Sequence, residues 1–503
     1  MRISMNKNIK LFKWLSILIL VGSLIPILII SVCVYPQADD FAFSQNTYHV
    51  WNNTHSFLYV IIEAAKTSYN YWWEWQGSYF SCFLMSLQPG IYGEKVYHIV
   101  PMLLIGLLYF AIYYLDKSVF CKKIEATKDI VLLITNIEFL VIIENIIDQA
   151  EAFFWYNSGI HYIGLCSVEI IYYGYVIGSF NEDLSNKKYL LKQFIACLLA
   201  FFTAGGNNLT VLAGIIINVS IIGLLFLKEL CQNKRMAFTK QLIKWIPSTA
   251  VMITCGLLNI LSVGNGKRLE YVGGTKHSII YTIFMSFKNG VYYSISWFDL
   301  TVLMYVIFVM IISYYIYEHN LKANYKLKII IPVIVTIFSY CLISAMFAPE
   351  IYTVGQVDTE RTMNIIYILF IVFLTAIVYS WTIWLSQRYY SVVKAIVNKI
   401  AKLGKRIILI PIAVTIIICL TLIINNPGRF LTTSAMYFMY KGEACECKEV
   451  IEYNFNLLNN KDIKNVTLKK LPSSPKILFS DEIDDWKAGT RLYFDKESVN
   501  WEE

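Results

Sequence analysis

Two adjacent carboxylates, Asp39 and Asp40, stand a few residues beyond the first long apolar run, in Tyr35-Pro-Gln-Ala-Asp-Asp-Phe. Pro36 ends any helix entering from that run, so the pair is held at a rigid boundary between apolar and aqueous surroundings. Partial desolvation there raises a carboxyl pKa and suits it to take a proton from a hydroxyl. An Asp pair at a solvated turn has the same spacing, and both readings stand at this point. Downstream, Tyr69-Asn-Tyr-Trp-Trp-Glu-Trp-Gln-Gly-Ser-Tyr-Phe is dense in aromatic rings. Trp75 and its neighbours could stack on the apolar face of a sugar while Glu74 and Gln76 reach hydroxyls. The same composition would also anchor a helix at a membrane interface.

A second acidic group is Glu144, Asp148 and Glu151, four and three residues apart, which at helical spacing falls on one face. Carboxylates at a membrane boundary cost several kcal/mol unless they find partners or line a wet cavity. Glu144 and Asp148 are accordingly candidates for a divalent cation, a hard ion that takes oxygen ligands, or for pairing with Lys or Arg. Glu138 and Glu169 lie deeper and invite the same question. The cations facing them are few: Lys267 and Arg268 in Gly264-Asn-Gly-Lys-Arg-Leu-Glu-Tyr, and Arg361 after a turn that holds Asp358 and Glu360. Guanidinium forks match phosphate oxygens, and snorkelling to lipid headgroups would place the same residues there. Ala204-Gly-Gly-Asn-Asn makes a tight turn whose glycines let backbone come close to a ligand or simply close a hairpin.

The elements that must position these groups are membrane helices. With 57% hydrophobic and 16% charged residues and a mean hydropathy of +0.54, the 503-residue chain carries more apolar surface than one aqueous core can bury. Long apolar runs fall near 14–35, 96–115, 130–147, 162–180, 189–205, 209–227, 245–264, 300–317, 329–349, 362–387 and 407–427. Each is read as a helix of roughly 20 residues, because backbone polar groups in lipid must be satisfied internally. The stretch 277–287, cut at Lys288-Asn289-Gly290, is read as interfacial or re-entrant. The N-terminus and the even connections carry about 25 Lys and Arg against about 7 in the odd ones, which places the N-terminus in the cytoplasm and, with eleven spans, the C-terminus outside. The net charge of +8 is therefore topological, and nucleic acid binding is excluded. Eleven cysteines without a CxxC give neither a zinc framework nor a disulfide scaffold, and Cys445 and Cys447 are too close in sequence to pair with each other. The expected architecture is an all-α integral membrane protein of about eleven helices, a polytopic domain 1–425 with a large first extracytoplasmic loop 36–95. An extracytoplasmic tail 426–503 follows, whose runs at Asn465, Lys476 and Arg491 alternate like short strands.

An acidic pair past the first span, a long first outer loop, ten or more spans and a polar outer tail resemble the GT-C class of membrane glycosyltransferases. The run around Asp39, the Trp75-Gln-Gly-Ser-Tyr element, Glu151-Ala-Phe-Phe-Trp-Tyr-Asn-Ser-Gly and Pro349-Glu-Ile with Glu360-Arg361 resemble, more closely, a bacterial branch related to O-antigen glucosyltransferases. The likeness covers most of the membrane region and little after 426. It implies inverting transfer of a sugar from a polyprenyl-phosphate donor to a surface glycan or lipid acceptor at the outer face of the cell membrane. Asp39 would be the general base and Asp40 its support, or the reverse. Arg268 and Arg361 would neutralise the departing lipid phosphate. Trp75, Gln76, Tyr79, Glu151, Trp155, Lys267 and Glu350 would line the substrate site, with a divalent cation as the one candidate cofactor. The chain departs from the pattern at Asp40, where other members carry a different residue, and at Ser78, where Arg is common. A lipid or glycan transporter or polymerase is the alternative, and a deep track joining Glu138, Glu144 and Glu169 would favour it; a non-catalytic receptor whose tail binds a partner is a third reading.

Overall fold

The computed structural model describes residues 2–179, 187–233, 240–271, 273–274, 276–321, 326–357, 359–402, 423–471, 477–478 and 486–502. The first ten expected apolar runs are all helical. Eight helices among the described residues are long and apolar enough to cross a membrane: Ile9–Cys33, Glu94–Cys121, Tyr156–Ser179, Asn208–Glu229, Leu242–Ile260, Leu300–His319, Ile330–Val354 and Glu360–Arg388. The helices Lys128–Glu144 and Lys187–Ala204 are shorter or carry several lysines at one end. Most of the expected run 407–427 lies outside the described residues, as do Asp358 and the beginning of the run at Lys476. The chain is a multi-pass, all-α membrane protein.

Large apolar side chains point outward from the bundle, among them Leu18, Phe194, Ile280 and Phe284. That distribution is stable only where the surrounding solvent is itself apolar. Inside, small residues and hydrogen bonds take over. Gly174 packs against the backbone of Leu115, and Gly290 against Ser344, where an added Cβ would fall 2.1 Å from the serine Oγ. Asn218 accepts from Tyr172 (2.8 Å) and Thr249 (3.1 Å) and donates to Tyr173 (3.0 Å), tying three helices at one buried point. Each such bond contributes about 0.6 kcal/mol in a membrane, so the clasp fixes geometry more than it supplies stability.

The first loop is itself helical. After α1 (Arg2–Ile30) come α2 (Asp39–Thr54), α3 (Phe57–Glu74) and α4 (Tyr79–Met85), then α5 (Val100–Asp116) and α6 (Lys128–Glu144). α2 and α3 form a hairpin closed by His55 in the left-handed conformation. The chain after 426 packs back on this hairpin. Tyr493 stacks on Tyr48 at 3.9 Å, Gly489 lies against Ala42, and Phe41 sits among Phe455, Tyr493 and Phe494.

Two local expectations are corrected. Arg491-Leu-Tyr-Phe is not a strand: it belongs to the helix Trp486–Tyr493, which places Tyr493 and Gly489 together against α2. The strands present are β1 (Asn465–Leu468) and β2 (Ser498–Trp501), a parallel pair in register from Asn465 opposite Ser498. The break expected at Lys288-Asn289-Gly290 does not occur, because Gly290 is a contact surface for Ser344 and the helix runs unbroken from Ile279 to Ser296.

Candidate functional site

Ala38 carries a φ of +47°, a conformation disfavoured for a residue with a Cβ, and it swings the chain so that α2 begins at Asp39. The two acids then part company. Asp40 is completely buried: one oxygen accepts from the Gln37 N–H (3.0 Å) and the Tyr97 hydroxyl (2.5 Å), the other from the Asn157 N–H (3.1 Å). Tyr97 in turn accepts from the Tyr156 N–H at 2.7 Å. Burial pushes the Asp40 carboxyl up to about 7, opposed by these three donors and aided by the charge of Asp39. Asp39, one residue earlier, is exposed. Asp40 therefore fixes the turn, and Asp39 is the member of the pair that can meet a ligand. Tyr35 and Gln37 are held from the tail, through Glu452 (3.0 Å) and the Leu478 carbonyl (3.0 Å).

From Asp39 the site continues along the end of α3. The Tyr71 hydroxyl donates to the carbonyl of Ala42, one turn beyond Asp39, at 3.4 Å, and the Tyr71 carbonyl accepts the N–H groups of Trp75 and Gln76. Gln76 is buried and links Cys82 to Arg268, accepting from the guanidinium at 2.5 Å. Arg268 also lies over the Trp75 ring at 5.4 Å. Lys267 pairs with Glu74 at 2.6 Å. The helix Val263–Tyr271 reaches this corner because Gly264 has no side chain: a Cβ there would fall 2.7 Å from the Trp75 and Gln76 nitrogens.

Arg361 forms the other flank. It pairs with Glu151 at 3.5 Å, and Glu151 accepts from Ser158 at 3.0 Å. Arg361 lies over the Tyr162 ring at 6.0 Å; the neighbouring His161 is hydrogen-bonded at 2.5 Å to Ser81, next to the Cys82 that Gln76 links to Arg268. The two arginines, over ninety residues apart in sequence, are thus tied to one end of the bundle through the neighbouring pairs Ser81-Cys82 and His161-Tyr162.

The three carboxylates Glu144, Asp148 and Glu151 do not share a helix face, contrary to expectation. α6 stops at Glu144 because the Asn364 side chain takes the N–H groups of Ile147 (3.0 Å) and Asp148 (2.9 Å) and returns a bond to the Asp148 carbonyl. Each acid consequently has its own partners: Glu144 accepts from the N–H and hydroxyl of Thr432, Asp148 accepts from the Glu151 N–H at 2.9 Å, and Glu151 faces Arg361. Burial pushes Asp148 up to about 6 against the pull of that N–H and of Arg361. Glu144 and Asp148 thus each have separate partners, and no group of three or more metal-binding side chains occurs among the described residues.

The remaining expected site residues make contacts of their own. Tyr79 donates to the Phe201 carbonyl at 2.8 Å on the outer side of α3, and the neighbouring Gly205 carbonyl accepts from Phe80 and Ser81. The glycine turn therefore receives α4; a Cβ on Gly205 would fall 2.4 Å from the Tyr79 ring. Glu350 accepts from the N–H and hydroxyl of Thr359 and from Thr362 (3.0 Å), clasping the start of the helix Glu360–Arg388. Trp155 is buried in the core at 2% exposure. Tyr71, Tyr97, Asn157 and His161 were not singled out by sequence, since their roles arise from partners far along the chain.

Neither a family model, nor a curated protein, nor a solved structure matches this chain.

Proposed function

We propose that the chain is an inverting membrane glycosyltransferase that moves a sugar from a polyprenyl-phosphate donor to a surface acceptor at the outer face of the cell membrane, with its N-terminus in the cytoplasm. The observation that carries this reading is an exposed Asp39, on a turn locked by buried Asp40, together with two arginines linked to the same end of the bundle, Arg268 through Gln76 and Cys82 and Arg361 through Glu151 and the Tyr162 ring. In the reaction, an acceptor hydroxyl attacks the anomeric carbon and gives its proton to Asp39. A C–O bond forms to the acceptor, the C–O bond to phosphate breaks, and the electron pair leaves on the phosphate. Arg268 and Arg361 stabilise that developing charge. Glu151 keeps Arg361 oriented until the phosphate arrives.

The transporter alternative draws less support, because the deep carboxylates do not form one track. Glu138 lies with Thr375 and Tyr305, Glu144 is engaged by Thr432, and Glu169 lies beside Gly214. The orientation rests on the Lys and Arg asymmetry of the connections. Membranes holding the wild-type chain should consume a radiolabelled polyprenyl-phosphate hexose from a panel of donors. Asp39→Asn at equal abundance should stop consumption, and Asp40→Asn should slow it by loosening the turn. Wild-type membranes indistinguishable from empty ones across the panel would overturn the reading.

A further inference from the structure

The identity of the acceptor is the point the catalytic corner leaves open, and a second cavity bears on it. α2 and α3 enclose a cavity of about 210 Å³ lined by Gln45 and Asn46 from one helix and Thr67, Asn70, Tyr71 and Glu74 from the other, with Ala42 leaving the room. On α3 these residues recur at three- and four-residue intervals and so form one continuous polar stripe. Ala42 lies one turn beyond Asp39 on α2, which puts the cavity immediately beside the exposed carboxylate. Tyr71 is common to both, lining the cavity and donating to the Ala42 carbonyl. Thr67 is only 4% exposed, and its buried hydroxyl has no hydrogen-bond partner, a cost of about 1–3 kcal/mol that nothing in the packing offsets.

We propose that this cavity binds one neutral, hydroxyl-rich ring of the acceptor, so that the acceptor is a neutral glycan unit and not a phosphate-bearing lipid or polymer. The inference rests on the glycosyltransferase reading for its position beside Asp39, but the lining chooses the ligand class by itself. Side-chain amides and hydroxyls offer donors and acceptors in the mixed pattern that adjacent sugar hydroxyls need. No Lys or Arg lines the cavity, and its one charged lining residue, Glu74, is an acid already engaged by Lys267. An anion entering there would find no cation of its own in the lining, since the nearby Lys267 is already paired with Glu74. The volume corresponds to about seven waters at about 30 Å³ each, the scale of a single ring and not of a chain. The groove on the opposite face of α3 is lined mainly by rings, those of Tyr69, Trp72, Trp73, Tyr79 and Phe201, and has no side-chain amide.

The full chain, reconstituted in lipid nanodiscs so that no sugar-headed detergent competes, is tested by saturation-transfer NMR. The probes are methyl hexosides (glucoside, galactoside, mannoside, N-acetylglucosaminide), with glucuronate and glycerol 1-phosphate as anionic counterparts. At least one neutral hexoside should give a signal that weakens tenfold or more in Thr67→Val and Asn70→Leu and persists in Tyr69→Phe on the other face of the helix. Asn70 is exposed and Thr67→Val is near-isosteric, and thermal unfolding of each variant identifies any signal lost through misfolding. Binding of the anionic probes alone, no binding by any probe, or signals unchanged in both cavity variants of intact fold overturn the proposal. Hexoside binding without donor consumption sinks the transferase reading and leaves the cavity assigned; donor consumption with a silent cavity does the opposite.

Discussion

Asp40 and Glu169 are both carboxyl groups that the fold hides from solvent, at 0% and 1% exposure, yet their surroundings are opposite. Asp40 receives three donors from three separate segments: the turn before α2, the start of the second span and the chain at Asn157. Glu169, in the second turn of the helix Leu165–Ser179, has neither oxygen hydrogen-bonded. Burial alone says little about what an acid does. A carboxyl that gathers donors from distant parts of the chain works as a fastener, and what it fastens here is the orientation of its exposed neighbour Asp39. A carboxyl without partners fastens nothing, so its removal should leave the neighbouring helices where they are.

The largest effect should come from removing the fastener. Asp40→Ala leaves the Gln37 and Asn157 N–H groups and the Tyr97 hydroxyl without an acceptor, and unsatisfied buried donors cost about 1–3 kcal/mol each before relaxation. Allowing for repacking, a loss of about 3 kcal/mol is expected, read as a lower unfolding midpoint of the purified protein. Tyr97→Phe removes one donor to Asp40 and one acceptor for the Tyr156 N–H, and should cost about half as much. Equal midpoints for wild type and Asp40→Ala would break the comparison at its first term.

Much of this arrangement was legible in the sequence, and the reason differs by level. Helix positions came from apolar length, which the bilayer dictates for each segment separately, so Leu300–Ile316 and Ile330–Met346 lie almost where the residues alone place them. The Asp39-Asp40 pair was visible because Pro36 marks the boundary locally. What could not be read was any feature decided by a distant partner. Asn364 stops α6 from more than 200 residues away and so scatters Glu144, Asp148 and Glu151. At Gly205 the sequence left a ligand approach and a tight hairpin equally open, because the neighbour that fills the space, α4, comes from far upstream. Arg491-Leu-Tyr-Phe alternates like a strand but is helical because Tyr493 has a docking site on Tyr48. The division of labour within the acidic pair is of the same kind, since Tyr97 and Asn157 select which carboxylate is buried.

A smaller effect should appear as pH dependence. The Asp40 carboxyl is pushed from its ordinary value near 4 up to about 7 in the folded protein, so the folded state holds a proton that the unfolded chain releases earlier. The stabilising contribution is then complete below about pH 4, declines as pH rises, and is gone above about pH 7. Unfolding midpoints of wild type should fall over that window relative to Asp40→Asn, which has no proton to lose. Parallel curves for the two proteins would mean that the three donors outweigh burial and hold Asp40 ionised throughout.

The smallest effect sharpens the other side of the comparison. Glu169→Gln keeps the shape of the side chain and, with no hydrogen bond to lose, should move the unfolding midpoint by less than about 1 kcal/mol. Transfer activity should also be unchanged, because Glu169 touches Gly214 and not the corner formed by Asp39, Arg268 and Arg361. Glu169→Leu extends the test by removing polarity altogether, and a stabilised protein is the expected result, since replacing a buried polar group by an apolar one of similar volume relieves desolvation. If instead Glu169→Gln abolished activity while the protein stayed folded, the buried acid would have a ligand or a proton path of its own. The proposed site at the polar end of the bundle would then have a second candidate beside it.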